Sequence, residues 1–254
     1  MSTAAVDVDR FHRDGFLFPF TIFESDAELA WLRSIYWRLR ALLPPDTSTQ
    51  EMKQWHDLDL ELWQLGSNPR ILDLLEPILG PDFYLWGSQF FSKDPGDRSV
   101  AGWHQDAAFW PLTPHRTVTV WLAFEDSDVG NGAMQVIPGT HRAGILQHAG
   151  EHDEHDVLNM RLERGNFSRS DAVHLCLRAG QVSLHDDNLV HGSAPNNSDR
   201  LRCGLTLRYS AGEVRVDAEL WPTFRACFVR GQDRHGHNPL GQPPTDILRE
   251  FVLT

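Results

Sequence analysis

Three residues of the sequence have the types and the spacing of a metal site. His104 and Asp106 are separated by one residue, and His191 lies further along the chain. In an extended strand, residues two apart point to the same side, so the imidazole and the carboxylate can reach one ion together. Two histidines and one carboxylate form the donor set that holds non-heme Fe(II) and leaves coordination positions open for oxygen chemistry. The pattern therefore predicts an iron site with His104, Asp106 and His191 as ligands.

The strands that must position these ligands are visible in the local composition. Residues 85–93 and 116–124 are rich in β-branched and aromatic side chains, which favours a strand on each side of His104 and Asp106. His191 is distant in sequence and must come from a different strand. The metal site is therefore expected inside a β-region.

Two helices are predicted ahead of these strands. Residues 25–28 form a capping-box pattern, and apolar residues then recur at helical spacing until Pro44. A second helix is expected from near Pro69 to just before Gly80, which matches the preference for proline at the start and glycine after the end. Helices followed by a run of strands indicate a β-core buttressed by helices.

Length and composition limit the classes of protein that remain. With 254 residues and 41% hydrophobic residues, the chain can bury a substantial core, and we expect a single domain over residues 1–254. The formal net charge of −12 disfavours nucleic acid as a partner. Apolar runs fall short of the ~20 residues of a membrane span, and the acidic start does not resemble a secretory signal. The three cysteines are widely spaced, which predicts buried thiols. We expect a cytoplasmic protein without a membrane partner; the oligomeric state stays open.

Several motifs occur along the chain in a characteristic order. They are FHRDGFL at 11–17, WHQD at 103–106, GAMQVIPGTHR at 132–142, HGS at 191–193, and Arg202. Together they resemble the phytanoyl-CoA dioxygenase family of Fe(II)/2-oxoglutarate-dependent oxygenases. Within that family the chain is similar to the bacterial small-molecule hydroxylases, such as 2-aminoethylphosphonate hydroxylase and ectoine hydroxylase.

The resemblance implies a fold and a division of the chain. The fold is mainly β with flanking helices, around a double-stranded β-helix, also called a jelly-roll or cupin-like core. Residues 1–80 would form a mainly helical buttress and residues 83–215 the β-helix core. A flap over the site is expected at about 145–172, and residues 216–254 would form a C-terminal segment.

The resemblance also implies an activity. Fe(II), 2-oxoglutarate as cosubstrate and O₂ would together hydroxylate a C–H bond of a small metabolite, with release of succinate and CO₂. Asp106 favours hydroxylation over halogenation, because resembling halogenases carry a small residue at that position. Two alternatives remain: the same oxidant could perform desaturation, cyclisation or epimerisation in natural-product biosynthesis, or the chain could be a non-catalytic, cupin-like metal-binding or sensor protein. Arg202 argues against a sensor, which needs no cosubstrate clamp.

Residues for the cosubstrate and the substrate follow from the same resemblance. Arg202 is expected to bind the distal carboxylate of 2-oxoglutarate, because a guanidinium offers paired donors to a carboxylate. Arg200 shares its predicted strand face and remains the alternative. The other residues implied to contact 2-oxoglutarate are Gln105, Trp121 and Ser193, with Thr119 and Gln89 as weaker candidates, and Phe109, Trp110 and Met134 are candidate substrate-pocket residues; each has a purely structural alternative.

Two polar segments contain residues that could form further sites. Residues 148–156 alternate histidines and carboxylates, but their polarity and lack of periodicity favour a solvated loop over a second metal site. Residues 229–238 contain arginines that could meet an anionic substrate, although a surface loop is the simpler interpretation. A small polar or anionic substrate is expected, with an aminophosphonate as the leading hypothesis.

Overall fold

A computed structural model describes residues 5–150, 155–158, 160–163 and 167–251. Its helices lie mostly before its strands. The α-helices in these ranges are α1 (Val8–Asp14), α2 (Asp26–Arg40), α3 (Leu60–Gly66) and α4 (Pro69–Leu79), and 3₁₀ turns cover Thr49–Glu51, Trp55–Asp57, Asp106–Phe109, Thr140–Ala143 and Arg169–Asp171. The strands are β1 (Phe16–Thr21), β2 (Phe83–Lys93), β3 (Ala101–His104), β4 (Leu112–Thr113), β5 (Thr117–Ala123), β6 (Met134–Val136), β7 (His148–Ala149), β8 (Arg161–Leu162), β9 (Val173–His174), β10 (Gln181–Asp186), β11 (His191–Ser193), β12 (Arg202–Ala211), β13 (Arg215–Val216) and β14 (Cys227–Arg230).

Two antiparallel sheets form the core. The larger has six strands in the order β1-β10-β5-β12-β2-β14, and the smaller has four in the order β3-β11-β6-β9. One buried apolar cluster joins them, with Phe16 and Trp121 from the larger sheet and Met134 and Val136 from the smaller. Two sheets closed over a shared interior are the jelly-roll arrangement, so the predicted mainly β fold with flanking helices is confirmed.

The helices cover the larger sheet, as predicted. In α2 the Ser25 hydroxyl accepts from the backbone N–H of Glu28 while the Glu28 carboxylate accepts from the N–H of Ser25, which is the expected capping box. Leu32, Ile35 and Leu39 of this helix are fully buried, and they belong to the same core cluster as residues of α4, β2, β5 and β12. Helix α4 runs from Pro69 to Leu79, within the predicted bounds.

Both ends of the described chain add a strand to the larger sheet. The expected helical buttress over residues 1–80 also contains β1, which pairs with β10 at one edge. The C-terminal segment 216–254 contains β14, which pairs with β2 at the opposite edge. Each of these edge strands is stabilised by a partner far away in sequence, which local composition does not reveal.

No helix in the described ranges combines the length and the apolar character that a membrane crossing requires.

The smaller sheet is the part of the fold that brings the candidate metal ligands together. His104 is the last residue of β3, His191 is the first of β11, and the antiparallel register places these two residues opposite each other.

Candidate metal and cosubstrate site

The three predicted metal ligands converge on one point. Nε2 of His104 lies 3.8 Å from Oδ1 of Asp106, and Nε2 of His191 lies 3.9 Å from the same oxygen. One potential ligand atom from each residue lies within 4.8 Å of the others, and all three residues are buried. Because nitrogen and oxygen ligands lie about 2 Å from a metal, atoms with this spacing can share one ion.

Asp106 reaches this point although β3 ends at His104. Gln105 keeps an extended backbone, with φ −118° and ψ 129°, and the 3₁₀ turn begins only at Asp106. The alternation of a strand therefore continues through Gln105, which returns the Asp106 side chain to the side of His104.

Backbone carbonyls orient both imidazoles. Nδ1 of His104 lies 2.7 Å from the carbonyl oxygen of Gly102, and Nδ1 of His191 lies 2.9 Å from that of Leu189. A carbonyl oxygen only accepts, so each Nδ1 carries the proton and each Nε2 keeps its lone pair for a metal. Burial lowers the pKa of both histidines, which keeps them neutral and ready to act as ligands.

The Asp106 carboxylate is held in its ionised form. Burial would raise its pKa, but His185, His191 and Arg208 together outweigh burial and lower the pKa of Asp106. The Thr119 hydroxyl donates to Oδ2 of Asp106 at 3.1 Å. Nε2 of the buried His185 lies 3.6 Å from the same oxygen, longer than a hydrogen bond. Thr119, which the family resemblance implies as a weaker candidate for contacting 2-oxoglutarate, thus bonds to the candidate metal-ligating carboxylate.

A cavity opens beside these ligands, and one side of it is basic. Arg202 and Lys93 are cross-strand neighbours on β12 and β2, both are buried, and both line the cavity. Nζ of Lys93 donates to the Ser99 carbonyl at 2.8 Å, to the Ser193 hydroxyl at 3.0 Å and to the Ala194 carbonyl at 2.6 Å. Burial, together with the charge of Arg202, lowers the pKa of Lys93 to about 7.

Arg202 is a buried guanidinium without a carboxylate beside it. Among the described residues no acid forms an ion pair with it, and its Nε has no hydrogen-bond partner there. Burial lowers its pKa to about 10, so it stays charged at neutral pH. The guanidinium lies 5.1 Å from the centre of the Trp121 ring. Gly204 makes room for this ring, because a Cβ there would lie 2.0 Å from Trp121 Cζ2.

Arg200, the alternative for the same role, lies elsewhere. It precedes β12, its side chain is 48% exposed, and its Nη2 contacts Asp128 Oδ2 at 2.5 Å. Its charge is therefore already paired at the surface. Of the two arginines, only Arg202 lines the cavity.

The remaining cosubstrate candidates fall in different places. Ser193 and Trp121 line the cavity. The buried Gln105 amide instead bonds to the backbone: its Nε2 donates to the carbonyls of Gly144 and Asn188, and its Oε1 accepts from the N–H of Leu146. These bonds give Gln105 a structural role in holding two loops together. Gln89 donates through Nε2 to the Gln50 carbonyl and accepts through Oε1 from Arg208.

The three candidate substrate residues are also divided. Met134 lines the cavity beside the metal ligands. Phe109 stands edge-on to His104, with ring centres 5.8 Å apart. The ring centres of Trp110 and Trp86 are 4.7 Å apart. The Trp110 ring centre also lies 5.1 Å from the guanidinium carbon of Arg208, and Arg208 lines the cavity.

The two polar segments have structural roles where they are described. In the expected flap, β7 and β8 pair, and Val157 and Leu158 line the cavity. Residues 151–154, 159 and 164–166 lie outside the described ranges. In the C-terminal segment, Arg230 pairs with Asp73 and Glu76, and Arg234 with Asp82. Both arginines, which the sequence suggests as contacts for an anionic substrate, are therefore neutralised by acidic residues at the surface.

The sequence patterns do not predict three residues of the site, which are Lys93, His185 and Arg208. Lys93 is one of only two lysines in the chain, and it ends a predicted strand that is otherwise uncharged, which was a usable signal. His185 is embedded in a buried strand and has no distinguishing spacing. Arg208 shares a predicted strand face with Arg202, but the cavity that both line depends on tertiary packing.

Comparison with known proteins places this site in a family. The sequence profile described as phytanoyl-CoA dioxygenase matches residues 11–204. The chain belongs to the phytanoyl-CoA dioxygenase family. The chain is 30% identical over 164 residues to a phytanoyl-CoA dioxygenase domain-containing protein 1 homolog of Dictyostelium discoideum, covering 63% of this chain and 58% of the relative. It is 31% identical over 162 residues to a probable alpha-ketoglutarate-dependent hypophosphite dioxygenase of Stutzerimonas stutzeri, covering 62% and 54%.

These alignments span little more than half of each relative. Among solved structures, the apo form of the non-heme monooxygenase ThoJ superposes on this family member with a TM-score of 0.79 at 27% identity, covering 94% of this chain and 89% of that one. Similarity over nearly the whole described fold confirms the predicted double-stranded β-helix core.

The residues present fit the metal and the cosubstrate that the family implies. Two neutral imidazoles present Nε2 beside an ionised carboxylate, which is the donor set of an open iron(II) site. Arg202 lines the same cavity, and its buried Nε has no hydrogen-bond partner among the described residues. Its guanidinium can therefore bind an anion. The distal carboxylate of 2-oxoglutarate has the charge and shape to fill that place.

Proposed function

We propose that the chain is a mononuclear, 2-oxoglutarate-dependent iron dioxygenase that hydroxylates a C–H bond of a small metabolite, releasing succinate and CO₂. The observation that carries the proposal is one cavity that is lined by two sets of groups. His104, Asp106 and His191 offer metal ligands, and Arg202 and Lys93 are basic groups with no ion-pair partner among the described residues. A sensor that only binds metal has no need of the second set.

Each residue of this chain then has a role. His104, Asp106 and His191 hold the iron, which with bound 2-oxoglutarate and O₂ supplies the oxidising chemistry. Arg202 binds and orients the distal carboxylate of 2-oxoglutarate, stacked on Trp121, while the Lys93 ammonium adds a second charge. Ser193 receives a hydrogen bond from Lys93 and so fixes the direction of that ammonium.

The polypeptide around the ligands limits access of water. His104 and His191 are each 6% exposed, and Met134, Val157 and Leu158 give the cavity apolar walls. Exclusion of water protects a reactive oxidant from side reactions. We also propose that residues 1–254 act as one domain, in which the segment near 145–172 closes over the site. Action in the cytoplasm remains a prediction.

Substrate-dependent succinate formation tests the proposal. Purified protein with Fe(II), 2-oxoglutarate and O₂ is screened against a metabolite library, and we expect succinate to rise with at least one compound. His104→Ala is expected to abolish this turnover. If the wild-type protein, loaded with iron, forms no succinate under any condition, the dioxygenase proposal is wrong. The hypothesis of a metal-binding sensor is then the better one.

The two arginines supply a matched comparison. Removal of the partner of a buried carboxylate costs about 2–5 kcal/mol, so Arg202→Ala is expected to raise the KM for 2-oxoglutarate by about 30-fold or more. Arg200→Ala removes a surface ion pair and is expected to leave the KM unchanged within about twofold. A larger effect at Arg200 would reverse the assignment.

A further inference from the structure

A second arginine lines the same cavity at a different position along β12. Arg202, Thr206 and Arg208 alternate onto one face of this strand, and all three line the cavity. Six residues of extended strand separate the Cα atoms of the two arginines by about 20 Å. The backbone of Arg208 therefore lies well away from the backbone positions of Lys93 and Arg202.

Neighbouring strands place Arg208 near the metal ligands. Its cross-strand neighbour on β5 is Thr119, whose hydroxyl donates to Asp106. Its neighbour on β2 is Gly87, where a Cβ would lie 3.0 Å from Arg208 Cδ. The absence of a side chain at Gly87 thus leaves the space that the arginine stem occupies.

Neutral groups hold the guanidinium of Arg208, and the charge of Asp106 acts on it without forming an ion pair in the described residues. Its Nη2 donates to Oε1 of Gln89 at 3.2 Å, and its carbon lies 5.1 Å and 6.0 Å from the ring centres of Trp110 and Trp86. Its Nε is buried without a hydrogen-bond partner in the described part of the chain. No carboxylate within the described residues forms an ion pair with it. Aromatic rings and an amide orient this charge without cancelling it.

The groups that could neutralise Arg208 are committed elsewhere. Asp106 is the one acid among the described residues that line the cavity, and it would ligate the metal. Arg202 and Lys93 would receive the distal carboxylate of 2-oxoglutarate. With Asp106 assigned to the metal, no acid among the described lining residues is left for Arg208. A buried charge of this kind calls for an anion.

We propose that Arg208 binds an oxyanion of the substrate, a carboxylate or a phosphonate, and so selects an anionic small molecule and orients it toward the metal. This inference rests on the proposed function, because it assigns the remaining space of the same cavity to the substrate. Trp110 and Gln89 position the guanidinium, and the planar fork matches an oxyanion with paired donors.

Calorimetric titration tests the inference without knowledge of the substrate. Acetate and methylphosphonate are titrated into protein loaded with Ni(II) and 2-oxoglutarate, using wild-type protein, Arg208→Gln, Arg208→Lys and the surface control Arg200→Gln. We expect at least one probe to bind the wild-type protein and the control equally. Arg208→Gln is expected to weaken that binding by about 30-fold or more, with Arg208→Lys between them. The preferred probe distinguishes a carboxylate from a phosphonate.

Two further measurements separate the possible failures. Affinity for 2-oxoglutarate is expected to survive in Arg208→Gln, which shows that the cosubstrate site and the fold remain intact, and slow succinate formation without substrate is measured in the wild-type protein. If wild-type protein itself forms no succinate, the proposed function fails rather than the role of Arg208. The inference is overturned if neither probe binds wild-type protein, if Arg208→Gln binds a probe as tightly as wild type, or if Arg208→Gln loses affinity for 2-oxoglutarate as well.

Discussion

Replacement of Lys93 by methionine is expected to flatten the pH dependence of the free energy of unfolding. Burial lowers the pKa of Lys93 from 10.5 to about 7 in the folded protein. At pH values between these two, the unfolded chain binds a proton that the folded chain does not, so stability increases as pH rises. Below pH 7 the folded state carries the full cost of the buried ammonium, which is about 5 kcal/mol at about 1.4 kcal/mol per pKa unit.

Urea unfolding of the metal-free protein between pH 6 and pH 9 measures this effect. From pH 7 to pH 9, the stability of the wild-type protein is expected to rise relative to Lys93→Met by about 2–3 kcal/mol, because each unit contributes about 1.4 kcal/mol. Lys53, the other lysine, is exposed, so Lys53→Met is the matched control and is expected to follow wild type. Parallel curves for wild type and Lys93→Met would refute the reasoning.

Lys93→Met also separates stability from ligand binding. The substitution removes a charge that faces the proposed carboxylate of 2-oxoglutarate, together with a hydrogen bond to Ser193. At pH 6.5, affinity for 2-oxoglutarate in the Ni(II)-loaded protein is therefore expected to fall by about tenfold or more, since a charge-assisted hydrogen bond contributes about 1.5–3 kcal/mol. Unchanged affinity would remove Lys93 from the cosubstrate site.

Two other substitutions address groups one step away from the ligands. Thr119→Val removes the hydroxyl that donates to Asp106, so we expect metal affinity to fall about 10-fold or more. Affinity for 2-oxoglutarate at saturating metal is expected to be retained. Loss of 2-oxoglutarate affinity alone would instead support a direct contact between Thr119 and the cosubstrate. Gly204→Ala places a Cβ against the ring of Trp121, and we expect a loss of about 1–3 kcal/mol of stability together with weaker 2-oxoglutarate binding; an unchanged melting temperature and affinity would show that the ring moves freely.

Local sequence was sufficient to predict that the candidate metal ligands His104 and Asp106 share a side, and to predict the main helices. His104 and Asp106 share a side because strand alternation depends only on the backbone, and it persists through the extended Gln105. The ends of α2 and α4 follow from caps and turn residues within a few positions of each end. Such features need no knowledge of distant partners.

The identity of the cavity-lining charges required the tertiary structure. Alternation places Arg200, Arg202 and Arg208 on one predicted face, yet Arg200 lies outside the strand and pairs with Asp128 at the surface. Strand alternation directs Gln105 away from the side of His104 and Asp106, and there its amide meets backbone carbonyls of two distant loops. Whether a polar side chain serves a ligand or the fold depends on which distant groups lie within its reach, and only packing of the sheets and loops decides that.

The charge state and the surroundings of Lys93 and Arg208 also depend on distant groups, so the sequence alone does not reveal them. A lysine at the end of a strand is ordinarily solvated; here the register that pairs Lys93 with Arg202 brings two cations together away from water. Among the described residues no acid forms an ion pair with Arg208, because the strands around it contribute Thr119, Gly87 and tryptophan rings. The sequence determined which donors and charges the protein has, and the tertiary structure decided which of them remain uncompensated, because compensation depends on distances between residues far apart in the chain.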